Sequence, residues 1–299
     1  MINYKHNILI TGTSGMLGKD IYNFFSRYSG YEVYGIDLVI NKEISLKHQI
    51  IGDLTDIYFT HGVLNTIQPK IIVHCAAIVN LETCQNNKEL AYAVHVNITK
   101  NLAQFRPMDS KLIYISTDSV FDGVKGNYTE VDKPNPLNYY AESKLEGEKM
   151  AELNPNHIVI RTNIFGFNIP LRGSLSEWAI KNLQSNNPIK GFTDVIFNAI
   201  YTKHLAKIIF ELNKIDFKGL INVTSVKAVS KYEFLLFLIK CMGFQTNLIS
   251  KSLSDDINFA ITRPLVTNLK TDQLEKLMKV PSTEEGIIDM VNDYNKQII

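Results

Sequence analysis

A glycine-rich turn between an apolar strand and a helix is the feature that most restricts how this chain folds. The strand Asn7–Thr11 leads into Gly12–Gly18, which has glycine at every third position, and a helix is predicted from about Met16 to Tyr28. Such glycines let the backbone approach a pyrophosphate, whose charge is stabilised by the helix N-terminus. A Walker phosphate loop is excluded, because Lys19 is followed by Asp20 rather than by Ser or Thr. The turn predicts a dinucleotide site; a glycine-rich turn without a ligand is the alternative.

The following strands end in residues that suit the rest of a dinucleotide. Asp37 ends the second strand, where a carboxylate accepts hydrogen bonds from an adenosine ribose and repels a 2′-phosphate. We therefore expect NAD(H) to be preferred, although the nearby Lys42 leaves NADP(H) open. The third strand ends at Asp53-Leu54, beside the expected adenine, and small residues follow the fourth strand. The predicted cofactor-binding residues are Gly12, Ser14, Gly15, Met16, Leu17, Gly18, Asp37, Asp53, Leu54, Ala76, Ala77, Tyr140 and Lys144.

The order of predicted strands and helices indicates the fold class. Strands and helices alternate up to about residue 160, which predicts an α/β fold with a doubly wound parallel sheet of the Rossmann type. The less regular remainder suits a smaller C-terminal α/β substrate-binding lobe. We assign residues 1–160 and about 190–224 to the NAD(P)-binding domain, and about 161–189 and 225–299 to the lobe.

Composition excludes several classes of partner. The 31 Lys and Arg residues nearly balance the 30 Asp and Glu residues, which argues against nucleic acid or a membrane surface as the main partner. The first residues lack the apolar core of a signal peptide, and no apolar run is long enough to cross a bilayer. Three cysteines without metal-type spacing indicate reduced thiols. We expect a cytoplasmic protein without a metal, and a homodimer stays open.

A later strand and the helix that follows it carry the candidate catalytic groups. The strand Leu112–Ile115 ends in Ser116-Thr117, and a helix beginning near Asn138 contains Tyr140 and Lys144 one turn apart on one face. Lowering the pKa of a phenol from ~10 to ~7 requires roughly 4 kcal/mol. An ammonium at ~5 Å supplies about 3 kcal/mol at an effective dielectric of ~20, so Lys144 is expected to lower the pKa of Tyr140. The set predicts a site that donates a proton to a carbonyl oxygen; chance spacing on a surface helix is the alternative.

Two neighbouring polar positions need a choice between roles. Ser116 and Thr117 point to opposite faces if the strand stays extended, so only one of them can serve the site. Asn97 lies in a predicted helix, Glu89–Phe105, among apolar residues. It is either a buried amide that bonds the backbone or a residue that orders a water for the active site.

Together these residues resemble an extended short-chain dehydrogenase/reductase, and within that superfamily the dTDP-4-dehydrorhamnose reductase group of nucleotide-sugar reductases. The resemblance covers essentially the whole chain and rests on motifs in addition to the glycine turn. These are Asp37, Asp53-Leu54, His74-x-Ala76-Ala77, Asn97, Ser116–Gly123, Glu130-x-Asp132-x-Pro134-x-Pro136, Tyr140-x-x-x-Lys144 and Arg263-Pro264 followed by Asn268-Leu269.

The resemblance implies roles for individual residues. Tyr140 would donate the proton, Lys144 would bond the nicotinamide ribose and tune Tyr140, and Thr117 would hold the substrate carbonyl. The implied catalytic residues are Thr117, Tyr140, Lys144 and Asn97, and the implied substrate-binding residues are Thr117, Asp118, Val120, Asn163 and Arg263. The implied reaction is NAD(P)H-dependent reduction of a keto group on a nucleotide-activated deoxysugar, in deoxysugar or surface-polysaccharide biosynthesis.

One departure from the family and two alternatives stay open. The reductases usually carry a tryptophan where this chain has Ile164, after Arg161-Thr162-Asn163, which leaves the sugar undecided. A nucleotide-sugar epimerase with tightly bound NAD is one alternative; a dehydratase is disfavoured because Ser119 replaces the expected glutamate. The other is a catalytically silent subunit, since the resemblance extends to the regulatory subunit of methionine adenosyltransferase.

Overall fold

The structure, a computed structural model, describes residues 5–42, 44–257 and 259–298. The chain divides into two units. The first unit contains the residues up to Val120 together with Pro136–Arg161 and Ala206–Ile221, and the second contains Phe121–Asn135, Thr162–Leu205 and the residues from Asn222 onward. Relative to the predicted division, residues 121–135, 190–205 and 222–224 belong to the second unit, and residue 161 belongs to the first.

Strands and helices follow one another along the described residues. The strands are β1 (His6–Thr11), β2 (Tyr31–Asp37), β3 (Gln49–Ile51), β4 (Ile71–His74), β5 (Lys111–Thr117), β6 (His157–Thr162), β7 (Ile164–Phe165), β8 (Ile189–Phe192), β9 (Ile196–Phe197), β10 (Ile200–Tyr201), β11 (Gly219–Asn222), β12 (Val229–Ser230) and β13 (Ile249–Ser252). The helices are α1 (Met16–Phe25), α2 (Ile57–Ile67), α3 (Leu81–Asn86), α4 (Lys88–Tyr92), α5 (Ile98–Gln104), α6 (Tyr139–Ala151), α7 (Leu175–Gln184), α8 (Thr202–Lys214), α9 (Lys231–Cys241), α10 (Asp272–Glu275) and α11 (Thr283–Ile298).

A seven-stranded sheet in the order β11-β6-β5-β4-β1-β2-β3 forms the centre of the first unit. β1 runs parallel to β2 and β4, β2 runs parallel to β3, and β4 runs parallel to β5. The order reverses between β1 and β4, and doubly wound sheets bind ligands at such a point. The predicted Rossmann-type fold is confirmed.

The sequence pattern of the strands explains why this sheet is central. Ile8, Leu9 and Ile10 of β1 are consecutive and fully buried, as expected for a strand that helices cover on both faces. β5 is buried along its whole length. The core of the first unit includes Leu9, Ile36, Leu64, Ile72, Leu102, Leu112, Tyr114 and Val159.

The helix predicted over Glu89–Phe105 is interrupted. α4 continues into one π-helical turn, Ala93–Asn97, which leads directly into α5. A π-helical turn shifts the residues after it around the helix axis, so the buried face cannot be read from an uninterrupted 3.6-residue period. Such turns are frequent at functional sites.

The second unit has its own core and three short strand pairs. β7 pairs with β10, β8 with β13, and β9 with β12. α7, α9 and α11 contribute apolar side chains to its core, which includes Ile180, Phe197, Phe234, Leu238 and Met290. The segment 121–135 joins this unit because Tyr128 donates its N–H to the Asn268 carbonyl at 3.0 Å and accepts from the Lys270 N–H at 2.8 Å. Among the residues that the structure describes, no helix combines the length and apolar character that crossing a bilayer requires.

Candidate active site

The turn after β1 touches the loop after β4. Gly12 has φ +73°, and a Cβ on it would lie 2.7 Å from the Ala76 backbone nitrogen. A Cβ on Gly18 would lie 2.2 Å from the Gly12 carbonyl oxygen. Both positions therefore require glycine, for conformation and for space. The structure brings the predicted cofactor-binding turn and Ala76 together where the strand order reverses.

The N-terminus of α1 is open to an anion. Its N-cap, Gly15, supplies no side-chain cap, and no acidic residue lies in the first turn. The backbone N–H groups of a first turn lack partners inside the helix, and they attract a phosphate. Leu17 is buried, so a ligand here would meet its backbone rather than its side chain.

Asp37 lies at the end of β2 against the glycine turn. Its carboxylate accepts the Ser14 N–H at 2.8 Å and the Leu38 N–H at 2.7 Å. An ionised carboxylate has about four acceptor positions, so about two are left for a ribose diol. The Ser14 hydroxyl donates to the Val39 carbonyl at 3.0 Å, which holds the segment after Asp37 to the turn.

Asp53 and Leu54 differ in what they could offer a cofactor. Asp53 is exposed, and its carboxylate accepts the Thr55 N–H at 2.8 Å. Leu54 is 5% exposed and belongs to the apolar core of the first unit. The Leu54 side chain is therefore packed in that core, and the expectation that Leu54 lies beside an adenine stays a prediction.

Thr117, Tyr140 and Lys144 all lie in the first unit, at the end of β5 and on α6. The Asn138 side chain accepts the Ala141 N–H at 3.0 Å and so starts α6. The Thr117 hydroxyl lies near enough to the Tyr140 phenol to lower the pKa of Tyr140, and it donates to the Asp118 carboxylate at 3.3 Å. Ser116 instead donates to Glu148 at 2.5 Å. Of the two neighbouring hydroxyls, Thr117 is therefore the one beside the phenol.

The environment of Tyr140 raises its pKa, contrary to our expectation. Burial raises the pKa of Tyr140 to about 12, the Thr117 hydroxyl acts to lower it, and the nearby Asp118 carboxylate acts to raise it. Burial penalises the charged phenolate, and this penalty exceeds the stabilisation that we had assigned to a lysine one turn away. Tyr140 is therefore a protonated phenol at neutral pH in this structure.

Lys144 is held by the strand beneath it. Its side chain is buried, its ammonium donates to the Ile115 carbonyl at 2.6 Å, and the nitrogen lies 4.1 Å from the centre of the Tyr114 ring. Burial lowers the pKa of Lys144 to about 7, although the Glu148 carboxylate opposes that shift. A lysine with a pKa near neutrality carries only part of a charge there, which weakens its effect on the phenol.

Near Lys144 lies a buried ion pair that was not predicted from the sequence. Arg161 donates to Glu148 through Nε at 3.0 Å and through Nη2 at 2.7 Å, and both side chains are buried. Bidentate pairs of this kind fix geometry as well as charge. The sequence feature that could have pointed to Glu148 is its spacing, because it follows Lys144 by one helical turn on the same face of α6.

Asn97 is exposed, which excludes the buried-amide alternative; its role in ordering a water for the active site stays a prediction. Its side chain is exposed, whereas His95, two residues earlier in the π-helical turn, is fully buried and bonded to Ser143 of α6 at 2.8 Å. The π-helical turn changes which positions of the helix face α6, and it directs His95 there. A histidine inside an apolar helical stretch was the signal for His95.

The four residues expected to bind substrate, other than Thr117, are divided between the units. Asp118 and Val120 lie in the first unit, where Val120 is fully buried and so packs rather than lines a site. Asn163 and Arg263 lie in the second unit. Arg263 is exposed, with its guanidinium 4.4 Å from the centre of the Phe259 ring. Arg263 and Phe259 line a cavity of about 480 Å³ in that unit, and Asn163 does not.

Comparison with known proteins identifies the family. The model of the RmlD substrate binding domain matches residues 6–296. The chain belongs to this family. The predicted membership of the extended short-chain dehydrogenase/reductases, close to the nucleotide-sugar reductases, is thereby confirmed.

Individual relatives of this RmlD-family chain differ in how much of it they match. A probable low-salt glycan biosynthesis reductase of Haloferax volcanii is 28% identical over 89% of this chain and 90% of that protein. The solved structure of dTDP-4-dehydrorhamnose reductase from Bacillus anthracis in complex with NADP is 26% identical, with a TM-score of 0.84 over 97% of this chain and 99% of that one. Methionine adenosyltransferase 2 subunit beta of Bos taurus is 37% identical over 52% of this chain and 46% of that protein.

Proposed function

We propose that this chain is an NAD(P)H-dependent oxidoreductase that reduces a keto group on a nucleotide-activated deoxysugar. The observation that carries the proposal is that the Thr117 hydroxyl lies near the Tyr140 phenol. Lys144 follows Tyr140 by one turn of α6, in the unit that contains the glycine turn. The RmlD family and the two reductases named above support the substrate class. The reaction would serve deoxysugar or surface-polysaccharide biosynthesis.

The residues at the end of β1 and β2 fit a dinucleotide. Gly12 and Gly18 leave no room for side chains, the first turn of α1 is uncapped, and Asp37 retains acceptor positions. The pyrophosphate would be held by the first turn of α1, and the adenosine ribose by Asp37. When bound, the nicotinamide would supply hydride to the carbonyl carbon.

The mechanism assigned to the side chains follows from their protonation. Tyr140, with its pKa raised to about 12, holds its proton until the carbonyl oxygen becomes basic, and then donates it. The Thr117 hydroxyl would donate its one O–H to that oxygen and so orient it for the proton transfer. Lys144 would donate to the nicotinamide ribose, and its protonated fraction would place positive charge beside the phenolate.

The second unit is proposed as the substrate-binding lobe. The cavity beside Arg263 also has Lys231, Phe192 and Phe259 on its walls. Arg263 and Lys231 would attract a diphosphate, and the two aromatic rings offer faces to a base. We assign the nucleotide part of the substrate to this cavity.

Cofactor preference can be tested by binding alone. We expect NADH to bind more tightly than NADPH, because the Asp37 carboxylate bonds a ribose diol and repels a 2′-phosphate. Asp37→Ala should shift the ratio of dissociation constants toward NADPH. A clear advantage for NADPH in the wild-type chain would contradict this assignment.

The chemistry can be tested by following NADH oxidation with a panel of nucleotide-linked 4-keto-6-deoxysugars. Tyr140→Phe should lose about 10²–10⁴ in kcat, the usual worth of general acid catalysis, and should keep its NADH affinity within a few-fold. Thr117→Val should lose less, and Lys144→Met should lose both turnover and cofactor affinity. Tyr139→Phe, a change of the same kind one position earlier on α6, is the matched control. Equal rates for Tyr140→Phe and the wild type would refute the role of the phenol.

Two alternative functions give different results in the same assay. An epimerase returns its NADH to NAD in each turnover, so it would convert a sugar without net oxidation of NADH. A binding subunit without catalysis is favoured by the 37% identity to the bovine methionine adenosyltransferase 2 subunit beta over 159 residues. Binding of NADH and of a protein partner, with no turnover of any sugar, would support that reading.

A further inference from the structure

We propose that His95 is a positioning residue that holds both Tyr140 and the loop after β4 in place for the reduction. This role rests on the function proposed above. His95 lies in the π-helical turn, is fully buried, and bonds two other segments of the first unit through its two ring nitrogens.

The hydrogen bonds of His95 determine which ring nitrogen carries the proton, and hence which group donates in each bond. The Ile78 N–H donates to Nε2 at 3.0 Å, so this nitrogen must carry a lone pair. In a neutral ring the proton is then on Nδ1, which donates to the Ser143 hydroxyl at 2.8 Å. Ser143 in turn donates to the Tyr140 backbone carbonyl at 3.0 Å. The chain of bonds runs from the loop after β4 to the backbone of the predicted proton donor.

The ring of His95 also touches Tyr140 directly. Their centroids are 5.8 Å apart and their planes make an angle of 83°, an edge-to-face contact. α6 and the π-helical turn approach closely here, since a Cβ on Gly147 would lie 2.6 Å from the His95 carbonyl oxygen. The imidazole therefore has little freedom to move, and neither does the phenol packed on it.

The electrostatic surroundings keep the ring neutral. Burial and the positive charge of Lys144 lower the pKa of His95 to about 3. The other nearby imidazole, His74, also has its pKa lowered by burial. The His95 ring therefore stays neutral over the whole range of pH in which the protein would work, and its Nε2 can accept the Ile78 N–H throughout.

The two bonds should affect different kinetic constants. The bond to Ser143 acts on Tyr140 and hence on proton donation, which belongs to kcat. The bond from Ile78 acts on the loop that contains Ala76 and Ala77, two of the predicted cofactor-binding residues, and hence on the KM for NADH.

Two amide variants separate these bonds. The side-chain amide of asparagine reaches the position of Nδ1, and that of glutamine reaches the position of Nε2. His95→Asn should keep kcat within about threefold and raise the KM for NADH about tenfold, as expected for one lost hydrogen bond. His95→Gln should do the reverse, with kcat lowered about 10–10²-fold through a misplaced phenol. His61→Asn, at an exposed histidine of α2, is the control and should change neither constant.

A second readout does not depend on turnover. In protein labelled with ¹³C-tyrosine, the Tyr140 resonance is assigned by its loss in Tyr140→Phe. It should move in His95→Gln and in Ser143→Ala, and should stay near its wild-type position in His95→Asn. Ser143→Ala breaks the same chain of bonds with a smaller change, so it decides the matter if an amide variant does not fold.

The outcomes are distinct for the two proposals. If the wild type is active and both amide variants lose kcat equally, or neither loses it, the positioning role is overturned while the reductase stands. If no sugar is turned over but the Tyr140 resonance moves as described, the reductase proposal fails and the positioning of Tyr140 by His95 stands. A resonance unchanged in both His95→Gln and Ser143→Ala overturns the positioning role in either case.

Discussion

Replacing Lys144 by methionine should stabilise the folded chain at neutral pH while removing the proposed activity. The Lys144 side chain is 3% exposed, and burial lowers its pKa from 10.5 to about 7. A pKa difference corresponds to about 1.36 kcal/mol per pH unit, so keeping this ammonium charged in the folded state costs roughly 4–5 kcal/mol. Methionine has a similar length and no charge, so most of this cost should disappear.

The stability that Lys144→Met gains over the wild type should decrease as the pH rises. Between about pH 7 and 10.5 the lysine is protonated in the unfolded chain and neutral in the folded chain. Because the unfolded chain then binds more protons, the free energy of unfolding of the wild type rises with pH, by at most about 1.36 kcal/mol per unit. Below about pH 7 both states are protonated, and the full cost is present. The advantage of Lys144→Met should therefore be largest near pH 6 and smaller by about 2–3 kcal/mol near pH 9.

Urea unfolding followed by circular dichroism at several pH values measures this difference. Lys149→Met is the matched control, because Lys149 lies on the same helix with 57% of its side chain exposed. The difference between that variant and the wild type should stay nearly constant over the same range of pH. Parallel pH profiles for Lys144→Met and the wild type would refute the reasoning, since they would mean that the buried ammonium keeps its ordinary pKa.

Two further predictions concern the backbone turn and the buried ion pair. Gly18→Ala should weaken NADH binding by at least about tenfold, because its Cβ would lie 2.2 Å from the Gly12 carbonyl oxygen. Gly62→Ala, in α2 with no atom near the added Cβ, should instead stabilise the chain by about 0.5–1 kcal/mol in thermal or urea unfolding. Arg161→Met should destabilise it by about 3–5 kcal/mol, since Glu148 would be left buried without its partner; a loss below about 1 kcal/mol in urea unfolding would contradict this.

Most of the fold could be predicted from local sequence patterns. Three features depend only on neighbours within a few residues and could therefore be predicted from the sequence. They are the glycines after β1, the buried strands, and the spacing of Tyr140 and Lys144. The Rossmann-type sheet followed from the alternation of strand and helix. The end of β5 was also readable, because alternation along a strand separates Ser116 from Thr117.

The sequence by itself thus determined the sheet, the glycine turn and the set of polar groups near it. The tertiary structure decided which neighbours those groups have. It turned His95 rather than Asn97 toward α6, because one π-helical turn changes the period of the helix. It also decided that the pKa of Tyr140 is raised rather than lowered. That shift depends on how much water is excluded by atoms from β5, α6 and the loop after β4, and the spacing of residues along the chain does not give that quantity.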